Sequence, residues 1–411
     1  VSIRILILHE IRSISLINLL KRFLHLEAAG GVILFFTAVL ALILANSPWS
    51  GLYLSFLDIP VQFRIGALDV HKPLLLWIND GLMAIFFLLV GMEIKREMQE
   101  GSLSSLRQAS LPVIAAIGGM VVPAALFSLV AYADEELMRG WAIPMATDIA
   151  FALGVLSLLG RRIPLSLKVF LLALAIIDDL GAIMVIALFY TSEVHTTPLF
   201  FAVALSGMLL MLNRCRVMRL APYLLIGVLL WFAVLKSGVH ATIAGVILGF
   251  AIPHAKRLSH SPLQLLEHRL HPWSSYFILP LFAFANAGLS FTGLSWSDLG
   301  AGLPLAIIVG LFIGKPLGVM LVSWIAVKLK LAVLPEKVSW IQLFGLAVLC
   351  GIGFTMSIFI SGLAFDTTSD MFAASRLGIL FGSSVAAVSG YLLLRKASGN
   401  RQDKECNRVS S

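Results

Sequence analysis

One apolar stretch, residues 165–190, constrains the fold more than any other because it carries two adjacent carboxylates, Asp178 and Asp179, at its midpoint. A helix of that length measures about 39 Å, which is enough to cross a bilayer. One ionised carboxylate at that depth costs roughly 2.5 to 3.5 kcal/mol on insertion scales. The pair therefore indicates a site that handles protons or cations.

The composition is that of a membrane protein, with 59% hydrophobic and only 13% charged residues. The net charge of +8 does not indicate nucleic acid, because the basic residues form no stripe interleaved with aromatic residues. Cys215, Cys350 and Cys406 have neither metal-ligand nor disulfide-framework spacing. The fold class predicted is an all-α polytopic membrane protein without a resident cofactor.

Apolar runs divide the chain into a membrane domain at 27–397 and two polar ends. Residues 1–26 are predicted to form a cytoplasmic leader on the lipid surface, and 398–411 a cytoplasmic tail. Most of the 30 basic residues fall on one side of the predicted map, so the positive-inside rule places both termini in the cytoplasm. The map has about twelve transmembrane helices, at about 27–45, 74–97, 110–132, 141–159, 165–190, 198–213, 221–235, 239–253, 273–290, 304–327, 341–364 and 373–395.

The segment 60–73 differs from the spans because apolar and polar residues alternate in it around Gly66-Ala67. This alternation predicts a short extracytoplasmic β-hairpin. Since an isolated hairpin is marginally stable, we expect it to pair with a second copy of the chain, forming a homodimer.

Two predicted spans are interrupted by unusual residues. Pro144 precedes Thr147-Asp148 in one of them, and Gly351 and Gly353 precede hydroxyl residues in the other. They are the middle helices of spans three to five and ten to twelve, which predicts two inverted three-helix repeats whose broken helices cross at the midplane. The half-helix ends there carry about +0.5 or −0.5 of a charge. We assign Asp148 and Lys315 to neutralise them.

Rival classes need different patterns. An intramembrane aspartyl protease needs its two aspartates on facing helices, whereas Asp178 and Asp179 are adjacent on one helix. A passive channel needs a filter segment or ring symmetry, and enzymes of several classes need a P-loop, GxSxG or HExxH motif, none of which is visible. A sodium-coupled solute symporter stays open as the alternative, since it could share the broken helices.

A series of short segments, in order over about 27–397, carries a resemblance to a known family. They are Trp77-Ile-Asn-Asp80-Gly, Phe86-Phe-Leu-Leu-Val-Gly91, Glu93-Ile-Lys95-Arg96-Glu97, Ala146-Thr147-Asp148-Ile-Ala-Phe, Ala175-Ile-Ile-Asp178-Asp179-Leu-Gly, Lys236-Ser-Gly-Val-His240-Ala-Thr, Phe282-Ala-Phe-Ala-Asn-Ala-Gly288, Gly314-Lys315-Pro316 and Cys350-Gly-Ile-Gly-Phe-Thr-Met-Ser357. Together they resemble the NhaA family of bacterial sodium/proton antiporters, a known example of inverted repeats.

The resemblance implies an electrogenic antiporter of the bacterial inner membrane that exchanges cytoplasmic Na⁺ or Li⁺ for external protons by alternating access. Its essential acids match Asp178 and Asp179, which point about 100° apart on a helix and titrate as a coupled pair. We expect Asp179 to be the principal Na⁺ ligand. Asp178 would be a second ligand, or a proton carrier paired in one state with Lys315. Thr147 and Asp148 would line the site, with a structural Asp148 as the alternative.

Further residues are assigned to regulation and to a second site. Asp80 is a candidate secondary cation or proton site, or else a hydrogen-bonded structural acid. The resemblance links a group of residues to activation at alkaline pH, and histidine is physically suited to such sensing. That group comprises Glu93, Arg96, Glu97, His240, Glu267, His268 and His271. Glu93 and Glu97 lie one turn apart and would form an acidic face that gathers cations.

Overall fold

The computed structural model of the chain describes residues 29–65, 68–101, 103–191, 194–255, 261–293, 296–300 and 302–409. The predicted leader, 1–26, lies outside these residues. The described part is mostly helical and contains one small antiparallel sheet. It is consistent with the predicted polytopic membrane protein.

The helices and strands follow one another in a simple order. They are α1 (Ala29–Ala45), α2 (Ser50–Leu57), β1 (Pro60–Ile65), β2 (Leu68–Pro73), α3 (Leu74–Gln99, with a π turn at Ile78–Leu82), α4 (Leu106–Ala131), α5 (Glu135–Met145), α6 (Ile149–Ser157), α7 (Leu165–Phe189), α8 (Thr196–Arg214), α9 (Leu220–Ser237), α10 (Thr242–Ala251), α11 (Pro262–Trp273), α12 (Leu279–Ala287), α13 (Gly302–Lys328, with a π turn at Val309–Gly314), α14 (Trp340–Leu349), α15 (Phe354–Ala364) and α16 (Asp370–Val409).

Seven of the described helices are long and apolar enough to cross a membrane, or up to 10 when each bent pair counts as one span. The predicted number of twelve stays a prediction. One predicted boundary is wrong: the helix expected to begin at 273 begins at Pro262. The cap explains the difference, because Ser261 Oγ accepts a hydrogen bond from Gln264 N–H at 3.2 Å and proline is favoured in the first turn of a helix.

The predicted hairpin is confirmed. Strands β1 and β2 pair antiparallel, with Pro60 opposite Pro73 and Ile65 opposite Leu68. The hairpin is fastened to the helices by an aromatic stack of Phe63 on Phe232, 5.4 Å between ring centroids. It therefore projects from the bundle in a fixed position beside α9.

The chain bends at both of the interrupted segments. Helices α5 and α6 meet at 45°, and α14 and α15 meet at 44°. Pro144 lies in the last turn of α5 and cannot donate a backbone hydrogen bond. Gly351 passes so close to the Leu311 carbonyl that any side chain there would clash. These local features end a regular helix inside each apolar segment.

The bent pairs are held by long helices that cross closely. Helices α4 and α13 meet at Gly118 and Gly318, where a Cβ atom on either glycine would overlap the other helix. Helix α16 begins at Asp370 and runs without a break to Val409, past the predicted start of the tail at 398. These helices pack against the two bent pairs.

Candidate functional site: a buried carboxylate pair at two helix bends

Lys315 and Asp178 form an ion pair in the interior of the bundle. Lys315 Nζ lies 2.6 Å from Asp178 Oδ2, and both side chains are fully buried. The lysine follows the π turn of α13, and π turns are frequent at functional sites. Its ammonium group also donates to the Met145 carbonyl at the end of α5. The lysine therefore meets both a carboxylate and the negative end of a helix.

Thr147 lies in the break between α5 and α6 and contacts the same carboxylate. Its single hydroxyl proton has two acceptors within reach, Asp178 Oδ2 at 2.8 Å and the Cys350 carbonyl at 3.0 Å. Asp178 Oδ2 thus serves both Lys315 and Thr147, whereas Asp178 Oδ1 is buried without a hydrogen-bond partner. One oxygen of this acid is fully engaged and the other is not.

Asp179 differs sharply from its neighbour. Both of its carboxylate oxygens are buried, and neither has a hydrogen-bond partner. The side chain lines a cavity of about 340 Å³, together with Glu93, Asp148 and Thr355. A buried carboxylate without partners is costly, so it needs a proton or a cation. Asp179 is therefore the candidate for an acid that exchanges one for the other.

Asp148 joins the two bent helix pairs. Its Oδ1 accepts from Phe151 N–H at 2.9 Å, and its Oδ2 accepts from Thr355 N–H at 3.0 Å and from the Thr355 hydroxyl at 2.5 Å. Its own N–H donates to the Ile352 carbonyl at 2.7 Å. One carboxylate therefore caps the positive N-termini of both α6 and α15.

Ser383, on α16, is a contributor that sequence reasoning missed. Its hydroxyl oxygen accepts from Gly353 N–H and Phe354 N–H, each at 3.2 Å. It thus caps α15 from a neighbouring helix. Nothing in the local sequence marks this contact, since a serine within an apolar helix more often bonds to its own backbone. Thr355 and two cavity residues, Ser274 and Ser275, were also missed as site residues.

Six of the seven residues assigned to pH activation lie at one end of α3, three on α3 itself and three on the neighbouring helix α11. Arg96 Nε lies 2.9 and 3.1 Å from the two Glu267 oxygens, and Arg96 Nη1 lies 2.8 Å from Glu97 Oε1. Glu93 and His271 both line the cavity that reaches Asp179, and His268 is exposed beside Glu267. The structure therefore brings these six residues together at the end of the cavity that Glu93 and His271 line.

His240 and Asp80 lie elsewhere. His240 Nε2 is 3.8 Å from Asp80 Oδ1, and Lys72 Nζ of the hairpin is 2.8 Å from Asp80 Oδ2. Asp80 is about 20 Å along α3 from Glu93, at 1.5 Å per residue. The structure therefore separates His240 from the other six residues of the pH group and places Asp80 apart from the carboxylate pair.

These features define a class. A bundle of apolar helices holds a buried acid pair, a buried lysine and a cavity that three carboxylates line. This arrangement is that of a membrane transporter for small cations.

Comparison with known proteins gives the particular family. The family Na⁺/H⁺ antiporter 1 matches residues 21–394. The chain is 80% identical over 396 residues to the Na⁺/H⁺ antiporter NhaA of Tolumonas auensis, covering 96% of this chain and 100% of that protein. It is 59% identical over 386 residues to that of Aeromonas hydrophila, covering 94% and 98%, and 60% identical over 381 residues to that of Yersinia enterocolitica, covering 92% and 97%.

The chain belongs to the NhaA family of Na⁺/H⁺ antiporters. It is a transporter rather than an enzyme, and a multi-pass bacterial membrane protein. The prediction of sodium/proton antiport is confirmed, and the symporter alternative has no support.

Proposed function

We propose that this chain is a secondary active, electrogenic antiporter that exports cytoplasmic Na⁺ or Li⁺ in exchange for external protons. The observation that carries the proposal is Asp179, which lines the cavity and whose two buried oxygens have no hydrogen-bond partners. Na⁺ favours hard oxygen ligands, and it competes with protons for the same carboxylate. Competition for one site, combined with alternating access to the two sides of the membrane, produces exchange.

The proposed ligands have separate duties. Asp179 is the principal ligand, and Asp178 becomes a second ligand when it leaves Lys315. Thr147 supplies a neutral oxygen, while Asp148 lines the cavity and chiefly holds the two helix ends. The proposed site thus has two units that can take up a proton, Asp179 and the Asp178–Lys315 pair, for each Na⁺ that it binds. Returning more than one proton per Na⁺ moves net charge, which lets the membrane potential drive the cycle.

The proposed topology has twelve spans in the inner membrane with both termini in the cytoplasm. Helix α10 and the continuous stretch α11–α12 supply the two spans beyond the ten counted by length and composition. The close crossing of α4 and α13 supports inverted repeats, because these helices open the two triplets whose middle members are bent. In this orientation the cavity opens to the cytoplasm, and the hairpin lies outside.

We assign activation at alkaline pH to the ion-pair cluster at the cytoplasmic end of α3. Arg96 is shared between Glu267 and Glu97, and Glu93 lies between this cluster and Asp179 in the cavity wall. A change of protonation in the cluster alters the charge at the cavity mouth and therefore the entry of Na⁺. His240 and Asp80 form a separate extracytoplasmic site, which we propose as a secondary cation or proton site.

The proposed function is tested with purified protein in proteoliposomes that carry an imposed pH gradient. We expect Na⁺ and Li⁺ to collapse the gradient and K⁺ to have no effect. The rate will rise as the pH is raised, because loss of protons from the cluster makes the entrance of the cavity more negative and favours Na⁺ entry. Because the exchange moves charge, it will accelerate when the membrane potential is clamped in the favourable direction with a K⁺ ionophore.

Two results contradict this proposal. A rate that does not depend on the clamped potential excludes electrogenic exchange, and a gradient that Na⁺ and Li⁺ leave intact excludes antiport. Liposomes without protein, carrying the same ionophore and gradient, provide the baseline for leakage.

We also propose that the chain forms a homodimer through the hairpin 60–73. An isolated two-stranded sheet is marginally stable, so a second copy would complete it. Replacing 61–72 by a short Gly-Ser linker is expected to convert a dimer to a monomer in native mass spectrometry. Ser290→Cys, an exposed substitution outside the hairpin, serves as the control and is expected to leave the mass of the assembly unchanged. Equal masses for the natural and hairpin-deleted chains would exclude this interface.

A further inference from the structure

The cavity that reaches Asp179 occupies one end of a seam between two groups of helices. Residues of α3 and α12 line one wall, residues of α6, α7 and α15 line the other, and Gly31 of α1 lies in close contact with α6 at the side of the cavity. The walls separate enough to enclose about 340 Å³ at this end. Toward the opposite end, where α12 and α15 terminate, the same two groups are in direct contact. The seam is thus open at one end and closed at the other.

The closure begins with an aromatic contact. Phe359 of α15 is buried, and its ring lies 5.7 Å from Phe87 and 6.2 Å from Phe282, between centroids. His240 contacts the same ring edge-on at 5.2 Å. Phe359 belongs to one wall, whereas Phe87 and Phe282 belong to the other. The rings therefore fill the seam beyond the cavity with apolar surface, which opposes the passage of ions.

Beyond these rings, one charged side chain crosses the seam. Arg376 is on α16, which packs against α15. It donates through Nη1 to the Gly288 carbonyl at 3.0 Å, just past the end of α12, and to the Asn286 carbonyl at 3.4 Å, in the last turn of α12. Its guanidinium lies 4.6 Å from the centroid of the Phe372 ring. The Nε atom is buried without a hydrogen-bond partner, and none of the ion pairs among the described residues includes this arginine.

This contact is weaker than a buried arginine can make. A guanidinium has five donors and normally engages a carboxylate bidentately, whereas Arg376 holds two backbone carbonyls at a helix C-terminus. Such carbonyls attract the charge without neutralising it. The two hydrogen bonds hold the walls together. Because they are weaker than a bidentate ion pair, they also allow the walls to separate. These are the properties required of a bond that forms and breaks in each transport cycle.

We infer that Arg376 is the latch of the extracytoplasmic gate, holding the seam shut through the Gly288 and Asn286 carbonyls while the cavity faces the cytoplasm. The inference rests on the proposed alternating access. When the seam opens to the outside, Arg376 leaves these carbonyls and the aromatic contact of Phe359 separates. The Asn286 side chain also pairs with Asn79, at 2.8 and 3.1 Å, beside Asp80. Release of the latch is therefore transmitted to the proposed secondary site.

The test measures how fast a charged, membrane-impermeant methanethiosulfonate labels cysteines at the two ends of the seam. The background carries Cys215→Ser, Cys350→Ala and Cys406→Ser. Ser361→Cys, buried in the outer half of α15, is labelled from outside in right-side-out vesicles. Ser275→Cys, which lines the cavity, is labelled from inside in everted vesicles.

Adding Arg376→Gln is expected to raise the labelling rate at Ser361→Cys about tenfold or more, as for the loss of a hydrogen bond to a charged group. The rate at Ser275→Cys will fall, because opening one end of the seam closes the other. Arg376→Lys keeps the charge and one donor, so its rates will lie between those of Arg376→Gln and the natural residue. Ser290→Cys is exposed beside the gate, and its labelling rate is expected to be the same with the natural Arg376, with Arg376→Gln and with Arg376→Lys.

Unchanged rates at both seam positions overturn the latch. A rise at both positions also overturns it, because general loosening of the fold exposes both ends together. If Arg376→Gln does not reach the membrane, Arg376→Lys gives the same comparison with a smaller expected change. Sodium-driven gradient collapse is measured with the natural chain in parallel. Normal exchange with unchanged labelling refutes the latch alone, whereas absent exchange refutes the proposed function.

Discussion

Asp179→Asn is expected to abolish Na⁺/H⁺ exchange while leaving the fold intact. The amide has the shape of the acid but neither takes up a proton nor carries the charge that attracts Na⁺. We expect the rate of gradient collapse to fall by at least about a hundredfold, the loss typical of removing one stabilising polar group from a dry site. Because both Asp179 oxygens lack hydrogen-bond partners, the substitution breaks no hydrogen bond within the protein.

Thermal stability supplies a second readout of the same substitution. A ligand that binds only the folded state stabilises it by about 2.7 kcal/mol at a concentration of 100 times its Kd. Saturating Na⁺ at alkaline pH is therefore expected to raise the melting temperature of the natural chain and to leave that of Asp179→Asn unchanged. Without Na⁺ the natural chain will melt no higher than Asp179→Asn, because an unpartnered buried carboxylate is costly. Asp58→Asn, at an exposed acid, is the matched control and is expected to keep both the exchange and the Na⁺ effect.

One outcome would remove Asp179 from the proposed role. If the Asn variant, inserted at the same level, still collapses the gradient on addition of Na⁺, then the exchanged proton resides elsewhere. Asp178 would be the next candidate, since its Oδ1 atom is also buried without a partner.

The spans and the hairpin could be predicted because they depend on local patterns. Apolar runs mark helices at membrane length, and alternation around Gly66-Ala67 marked the paired strands. Helix α11 escaped detection because polar residues such as Glu267, His268 and Arg269 interrupt its apolar character, and its start depends on the Ser261 cap. A hydropathy pattern does not register a cap.

The site was predictable only in part, for a similar reason. Asp178, Asp179 and Lys315 stand out because charged residues within apolar runs are expensive. The partners of those charges include backbone carbonyls at Met145 and Cys350, and every residue has a carbonyl. Contacts such as Ser383 with α15 and Arg376 with Gly288 depend on which helices become neighbours, which no spacing in the sequence reveals.

Lys315→Ala is expected to destabilise the protein strongly. Removing one member of a buried ion pair costs about 3 to 5 kcal/mol, because the remaining charge is left buried and uncompensated. Asp178 would lose its partner at 2.6 Å, and the Met145 carbonyl at the end of α5 would lose its donor. At roughly 2 °C per kcal/mol for a large domain, the melting temperature in detergent is expected to fall by about 6 to 10 °C. The pH profile of exchange is also expected to shift.

A double substitution separates the charge of Lys315 from its packing. In Lys315→Ala combined with Asp178→Asn, the neutral amide no longer requires a counter-charge, so the loss of stability will be smaller than the sum of the single losses. For two residues in direct contact, we expect the free energy of interaction from this double-mutant cycle to be about 0.5 to 3 kcal/mol. Additive losses would mean that Lys315 acts by filling space and by holding the Met145 carbonyl. In that case Asp178 would not depend on it, and the proposed exchange of Lys315 for Na⁺ at Asp178 would have to be abandoned.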